Sequence, residues 1–189
     1  MTTFIVDFET NGLNPYHDDI IEIAIKVYNE DISYTTLVIP KNKERISEKI
    51  TEITGITNQK VYEEGKKHRL AYREFLDFIK YNSSQDEPFY VIAHNGQGFD
   101  FLFIKKVLAE MSEKMENMRY IDSIFYSKVV HPKMWSHSMK SLCKIHKIEN
   151  VDAHRAMSDV NALEELCIIM LDKGGLSSPK EMWECVEFV

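Results

Sequence analysis

Short β-rich segments open the chain, and apolar residues at helical spacing dominate the rest of it. The first segments rich in β-branched and aromatic residues are 4–8, 20–28 and 32–39. Only residues 29–31 separate the second from the third, a length that predicts an antiparallel hairpin. Residues 69–81 carry apolar side chains at helical spacing, and 89–93 is apolar throughout, as in a buried strand.

The second half of the chain alternates between helix and strand. A helix is predicted after residue 100, a brief strand at 119–121, and mostly helical sequence from there on. Three strands, then alternating helix and strand, then helices are typical of an α/β protein with a mixed sheet flanked by helices. We therefore predict a central five-stranded sheet, and the 189 residues suit a single domain, 1–189.

Composition favours a globular protein without a membrane span. Apolar residues make up 44% of the chain, which is too many for a disordered protein. The longest strongly apolar stretch near the end, 166–171, is far shorter than the roughly 20 residues of a membrane-spanning helix. No basic segment followed by an apolar run opens the chain, so no signal peptide is predicted. A soluble intracellular protein, cytoplasmic or nuclear, is the expectation.

Cysteine content and net charge narrow the choice of function further. Cys143, Cys167 and Cys185 form no CxxC pair, so neither a disulfide framework nor a zinc knuckle is expected. The net charge of −7 gives no sign of a broad basic surface for nucleic acid. Carboxylates that hold divalent cations contribute to that charge, however, and bound cations reverse the local sign.

Two carboxylates stand close together on the first predicted strand. Asp7 and Glu9 are two positions apart, so their side chains point to the same face, while Phe8 points to the other. Adjacent carboxylates repel unless a positive charge lies between them. Mg²⁺ or Mn²⁺, which prefer oxygen ligands, would supply it. Alone, a D-x-E sequence is more often a solvated strand end.

Two further motifs carry candidate ligands. Asp100 follows the buried strand and a glycine-containing turn, near the start of a helix, where an acid alone is usually just a favourable charge. Asp159 borders the apolar stripe of a late helix, and an acid in such a place needs a partner. His154 lies five residues earlier, near the start of that helix. Alone, it would be read as a surface histidine.

Together the three motifs resemble those of the DEDDh exonucleases, the DnaQ-like superfamily with an RNase H-like fold. The motifs are D-x-E-T-x-G-L from Asp7, H-N-x-x-x-F-D from His94 and H-x-x-x-x-D from His154. The resemblance extends from Asp7 to at least Leu166. Within the superfamily, the spacing of the second motif and the segment 50–56 look most like those of the three-prime repair exonucleases.

The resemblance implies a metal-dependent hydrolase with two Mg²⁺ or Mn²⁺ ions. Such ions, about 3.5–4 Å apart, activate the attacking water and stabilise the leaving 3′-oxygen. The expected metal ligands are Asp7, which would bridge both ions, Glu9 and Asp159 at the first ion, and Asp100 at the second. His154 would remove the proton from the water, a task that suits an imidazole with a pKa near 6.5.

Eight more residues beside these motifs are predicted to contact the substrate: Thr10, Gly12, Leu13, Ile53, His94, Asn95, Gln97 and Arg155. The first three would hold the 3′-terminal nucleotide, as the family suggests. Leu13 and Ile53 would stack on or wedge between the terminal bases, unless they belong to the core. His94, Asn95 and Gln97 would hydrogen-bond phosphate or sugar, and Arg155 would contact phosphate.

The predicted function is release of nucleoside 5′-monophosphates from the 3′ end of DNA or RNA, in DNA repair or proofreading if the substrate is DNA. Single-stranded DNA is favoured because of the length of the second motif. A 3′→5′ exoribonuclease that trims RNA is the alternative, since no residue diagnoses a 2′-hydroxyl. A non-catalytic adaptor for nucleic acid would normally have lost one of the five site residues. An RNase H- or integrase-type endonuclease would need a fourth acid in place of H-x-x-x-x-D.

One prediction concerns assembly. The third strand, 32–39, is expected at the edge of the sheet, where it could pair with its twin in a homodimer.

Overall fold

A mixed sheet of six strands forms the centre of the molecule. The computed structural model describes residues 1–41, 46–84 and 86–186. The strands are β1 (Thr3–Thr10), β2 (Ile20–Val27), β3 (Ser33–Ile39), β4 (Lys66–Lys67), β5 (Phe89–Ala93) and β6 (Met118–Asp122), and their order in the sheet is β4-β3-β2-β1-β5-β6. The β1–β2 and β2–β3 pairs are antiparallel, whereas β1–β5, β5–β6 and β3–β4 are parallel.

Helices cover both faces of this sheet. Their bounds are α1 (Glu48–Thr54), α2 (Asn58–Glu64), α3 (His68–Asn82), α4 (Asp100–Met111), α5 (Ser123–Val130), α6 (Met139–His146), α7 (Ala156–Gly174) and α8 (Pro179–Val186), with a 3₁₀ turn at Gly96–Gly98. The predicted α/β architecture, a mixed sheet flanked by helices, is confirmed. None of the described helices combines the length and hydropathy that a membrane span requires.

The side chains of β1 alternate between the two faces of the sheet, and different helices pack on each face. Phe4, Val6 and Phe8 are buried in one core with residues of α3 and α4. Ile5 points to the opposite face and is buried with residues of α5, α6, α7 and α8. Side chains two positions apart share a face, so Asp7 projects toward the α7 side, as Ile5 does.

The sixth strand corrects two sequence predictions. β4 is only two residues long, and Lys66 and Lys67 show none of the alternation that marks a strand, so five strands were predicted instead of six. β4 pairs with Val38 and Ile39 at the end of β3. β4 therefore covers only the end of β3, and the predicted edge position holds for the rest of that strand in the described sheet. A homodimer through β3 stays a prediction.

One edge of the sheet gathers the chain segments that carry the predicted site. The parallel strands β1, β5 and β6 end there, at Thr10, Ala93 and Asp122, and β2 begins there. Helix α4 starts shortly after β5, and α7 packs across β1 and β2. This carboxyl edge is the place where ligand sites of such sheets are commonly found.

Candidate active site

Asp7 and Glu9 project from β1 at the carboxyl edge. Both are half-buried, and Phe8 between them is buried on the opposite face, with its ring 5.6 Å from that of Phe75. Glu9 lies opposite Glu22 in the β1–β2 pair. The strand thus places two carboxylates on the face that α7 covers.

Asp100 joins this pair from the neighbouring chain segment. It is the first residue of α4 and is almost fully buried. Its Oδ1 accepts a hydrogen bond of 3.1 Å from the backbone N–H of Phe8. That N–H belongs to the residue between Asp7 and Glu9, so the bond fixes Asp100 beside both carboxylates.

His154 and Asp159 approach from the start of α7. Asp159 lies in the first turn of that helix, and its Oδ2 accepts a 3.0 Å hydrogen bond from the backbone N–H of His154. Its Oδ1 accepts another from Asn150. His154 is exposed and has a left-handed backbone with φ of 68°, a conformation that is uncommon outside glycine. Ligand atoms of Glu9, His154 and Asp159 all lie within 4.8 Å of one another, close enough to share a metal ion.

The carboxylates raise one another's pKa values. Burial, followed by the charges of Asp100, Glu9 and Asp159, raises the pKa of Asp7 well above its ordinary value. Burial and then the charge of Asp159 raise the pKa of Glu9 to about 8. Burial also raises the pKa of Asp100 to about 7, although the Phe8 N–H opposes this. Such crowding is unfavourable without a counter-charge, and a set of hard oxygen donors fits divalent cations such as Mg²⁺.

Glu22 is a member of the site that the sequence prediction missed. It is 3% exposed, and its carboxylate accepts hydrogen bonds from Arg155 Nη2 at 2.6 Å, Arg155 Nε at 3.2 Å and the backbone N–H of Ala156 at 3.0 Å. The guanidinium of Arg155, predicted to contact phosphate, thus pairs with a buried acid. An acid inside the apolar run of β2 was the available signal, because buried carboxylates need partners.

An apolar pocket adjoins the carboxylates. Its cavity of about 350 Å³ is lined by Glu9, Thr10, Gly12, Leu13, Ser47, Lys49, Ile50, Ile53 and Thr54. Leu13 and Ile53 are exposed, at 82% and 45%, so the structure places them at this pocket and not in the core. Four of the predicted substrate contacts therefore share one cavity with a predicted metal ligand.

The loop that carries Leu13 is tightly held. Thr10 Oγ1 donates to the carbonyl of Gly12 at 2.5 Å, and Asn14 N–H donates to Asp18 Oδ2 at 2.7 Å. A Cβ on Gly12 would lie 2.2 Å from the Asp18 carboxylate, so only glycine fits there without a shift.

Residues of the second motif, which begins at His94, form hydrogen bonds inside the protein at the carboxyl edge. Both ring nitrogens of His94 are engaged, one with Ser123 Oγ and the other with the carbonyl of His137, each at 2.8 Å. The backbone N–H groups of Asn95 and Gln97 donate to the Asp122 carboxylate, each at 3.0 Å. His94 is thus used inside the protein, whereas the side chains of Asn95 and Gln97 are exposed.

Comparison with known proteins supplies the family. The RNase T family model, described as an exonuclease, matches residues 4–166. This chain belongs to that family. The DnaQ-like superfamily and the 3′→5′ exonuclease class predicted from the motifs are confirmed with it.

Curated relatives include long bacterial DNA polymerases. The PolC-type DNA polymerase III of Thermotoga maritima is 33% identical over 187 residues, which are 95% of this chain and 13% of that protein. The enzyme of the same name from Bacillus subtilis is 31% identical over 174 residues, 90% of this chain and 11% of that protein. The chain thus spans about an eighth of the length of these relatives. They are not three-prime repair exonucleases, so the narrower resemblance stays a prediction.

Solved structures share the fold. E. coli Exonuclease I in complex with a dT13 oligonucleotide superimposes with a TM-score of 0.76 at 18% identity, over 91% of this chain and 41% of that one. Cell-death related nuclease 4 gives a TM-score of 0.73 at 19% identity, over 92% of this chain and 64% of that one. The RNase H-like fold of these exonucleases is therefore the fold of this chain.

Proposed function

We propose that this exonuclease releases nucleoside 5′-monophosphates from the 3′ end of single-stranded DNA, and that residues 1–189 form one exonuclease domain. Residues 42–45, 85 and 187–189 of that span lie outside the described part. The observation that carries the proposal is the convergence of Asp7, Glu9, Asp100 and Asp159 on one edge, next to an open apolar pocket.

Four carboxylates are proposed to hold two Mg²⁺ or Mn²⁺ ions. Asp7 would contribute to both, Glu9 and Asp159 would complete the first set, and Asp100 the second. The raised pKa values of Asp7, Glu9 and Asp100 support this, because burial, and for Asp7 and Glu9 also the neighbouring acids, disfavour the ionised carboxylates unless a cation compensates them. When bound, such ions lower the pKa of water and stabilise charge on the phosphate and the leaving oxygen.

His154 is proposed to accept the proton from the attacking water. Its backbone N–H, and not its ring, binds Asp159, so the residue is fixed while the imidazole extends from an exposed position. The ring reaches within 4.8 Å of the ligand atoms of Glu9 and Asp159. An imidazole at that distance would be within reach of a water that lies between it and these carboxylates.

The apolar pocket is proposed to bind the 3′-terminal nucleotide. Leu13 and Ile53 present exposed aliphatic surface on which a base can pack, and Thr10 and Gly12 line the same cavity as Glu9. A DNA substrate is supported by the relatives, which are DNA polymerases, and by the Exonuclease I structure that holds an oligothymidylate. Proofreading or DNA repair is the corresponding role.

A time course on labelled oligomers tests the proposal. Single-stranded DNA and RNA of the same sequence, labelled at the 5′ end, are incubated with Mg²⁺, Mn²⁺ or EDTA. We expect a ladder that shortens from the 3′ end on DNA, nucleoside 5′-monophosphate as product and no reaction in EDTA. Faster degradation of RNA than of DNA would show that the enzyme is an exoribonuclease. Cleavage of a closed DNA circle, which has no 3′ end, would show that it is an endonuclease.

A further inference from the structure

Charge is unevenly distributed along this acidic chain. Residues 123–148 contain five of its 23 lysines and arginines and none of its 30 aspartates and glutamates, which leaves 18 basic against 30 acidic residues elsewhere. This segment comprises α5, the loop to α6, and α6. A net charge of −7 therefore conceals a segment of 26 residues that carries only positive charges.

The five lysines are exposed and lie on α5, on α6 and in the segments that follow these two helices. Lys140, Lys144 and Lys147 follow one another at spacings of four and three residues on and just after α6, which places them on one side of it. Leu142 and Cys143, on the other side, are buried. None of the five lysines forms an ion pair with another described residue, so their charge faces solvent.

Aromatic side chains lie among these lysines. Trp135, in the loop between the two helices, is fully exposed at 103%. Phe125 on α5 is partly exposed, and the Lys128 ammonium lies 5.2 Å from the centre of its ring. Exposed aromatic rings between lysines are the features of surfaces that bind single-stranded nucleic acid, where bases stack on rings and cations follow the phosphates.

Hydrogen bonds connect this segment to the carboxyl edge. The carbonyl of His137 accepts a hydrogen bond from His94 of the second motif, and His137 Nδ1 lies 2.9 Å from Ser127 Oγ on α5. Asp122, which caps α5, accepts the N–H groups of Asn95 and Gln97. The loop with Trp135 is thus anchored beside the candidate active site.

We propose that this lysine–tryptophan surface, formed by Lys128, Lys133, Trp135, Lys140, Lys144 and Lys147, binds the body of a single-stranded nucleic acid whose 3′ end occupies the active site. The inference rests on the proposed function and adds a second contact region to it. Charge complementarity selects the partner, because a polyphosphate chain is attracted to lysines that have neither an acid among them nor an ion pair with another described residue.

Substrate length provides the first test. Lys133→Gln, Lys140→Gln and Lys144→Gln are combined in one variant. The control combines Lys67→Gln, Arg69→Gln and Lys114→Gln, which remove the same charge from exposed positions at β4, at the start of α3 and in the loop after α4. The quantity measured is kcat/KM on oligothymidylate of about 20 nucleotides divided by kcat/KM on a dinucleotide.

The surface variant is expected to lose about tenfold of this length preference, and its log–log salt slope for binding the long oligomer should fall by about 2, since each lost contact to a single strand contributes about 0.7. The control should keep both. An equal loss in the two variants, or no loss in either, would overturn the proposal. If the native chain degrades neither substrate, the proposed function fails instead.

Tryptophan fluorescence provides a direct readout. The chain has two tryptophans, so Trp183→Phe leaves Trp135 as the only one. In EDTA, which prevents hydrolysis, the long oligomer should quench Trp135 emission and the dinucleotide should not. Unchanged emission with a bound long oligomer would exclude base stacking at this site, and quenching by an acidic peptide but not by oligothymidylate would identify a protein partner instead.

Discussion

At the residue scale, a substitution of His154 can distinguish its proposed role as a base from the proposed metal binding by the carboxylates. His154→Ala removes the proposed base but leaves Asp7, Glu9, Asp100 and Asp159 in place. We expect kcat to fall by about 10²–10⁴-fold, the usual contribution of general base catalysis, with Mn²⁺ and oligonucleotide binding retained. Calorimetric titration with Mn²⁺ checks the binding. Loss of Mn²⁺ binding in this variant would make His154 a metal ligand and not the base.

Arg155 provides the second residue-scale prediction. Its two bonds to Glu22 hold the start of α7 and hence His154 next to it, which makes Arg155 a positioning residue. Arg155→Lys keeps the charge but loses the paired geometry of the guanidinium. We expect kcat to fall about tenfold with KM unchanged, because a small displacement of a catalytic group is costly.

The Arg155→Lys variant also distinguishes the two interpretations of this residue. A phosphate contact would tolerate lysine, or would show its loss as a raised KM and a shallower salt dependence. Glu22→Gln serves as the companion variant, since it weakens the same pair from the other side and should reproduce the kcat effect. A raised KM in Arg155→Lys alone would restore the original prediction for this residue.

The orientation and the partners of the site residues differ in how far the sequence could predict them. Asp7 and Glu9 were predictable from strand periodicity, because spacing alone sets the face of a side chain. The engagement of His94 by Ser123 and His137 was not, since those partners are 29 and 43 residues away. The left-handed backbone of His154, which accompanies the hydrogen bond from its N–H to Asp159, has no local signal in the sequence either.

At the element scale, the loop after β1 links the carboxylates to the pocket. Gly12→Ala would bring a Cβ within 2.2 Å of the Asp18 carboxylate. The Asp18 side chain would then have to move and lose its hydrogen bond from the Asn14 N–H, which loosens the loop that carries Leu13. We expect KM for oligonucleotides to rise several-fold while metal binding is retained, since Gly12 lies beyond the carboxylates on the chain.

A matched substitution controls for general effects on the fold. Gly98→Ala adds the same methyl group in the other loop at the carboxyl edge, where the nearest atom is the Asn95 amide oxygen at 3.2 Å. That contact requires only a small adjustment of an exposed side chain. Equal changes in KM for the two variants would argue against a specific role of the Gly12 loop.

Elements with strong patterns were predicted closely, and short ones were not. The strand predicted at 89–93 is β5 with the same bounds, and the helix predicted at 69–81 is α3 with one further residue at each end. β4 was missed because two lysines pair with β3 through backbone groups alone. Pairing that uses no side-chain pattern depends on where the rest of the fold brings the segment, and not on its own sequence.

At the scale of the whole molecule, clustered carboxylates link stability to pH and to metal. In the metal-free protein the pKa of Glu9 is raised to about 8 and that of Asp100 to about 7. The unfolded chain loses these protons near pH 4. Between these values the folded state binds more protons than the unfolded state, so its stability falls as pH rises. The stabilising contribution is complete below about pH 4 and is lost by about pH 8.

Thermal unfolding of the metal-free protein across this range, compared with Glu9→Gln, measures the effect. The variant has no Glu9 charge to bury, so its Tm should exceed that of the native sequence increasingly from pH 5 to pH 8. Mg²⁺ at about 100 times its dissociation constant should stabilise the native sequence by about 2.7 kcal/mol at pH 8, and much less at pH 5, where protons compete for the same oxygens. If the two Tm curves run parallel and Mg²⁺ acts equally at both pH values, the four carboxylates do not form the cation site on which the proposed chemistry depends.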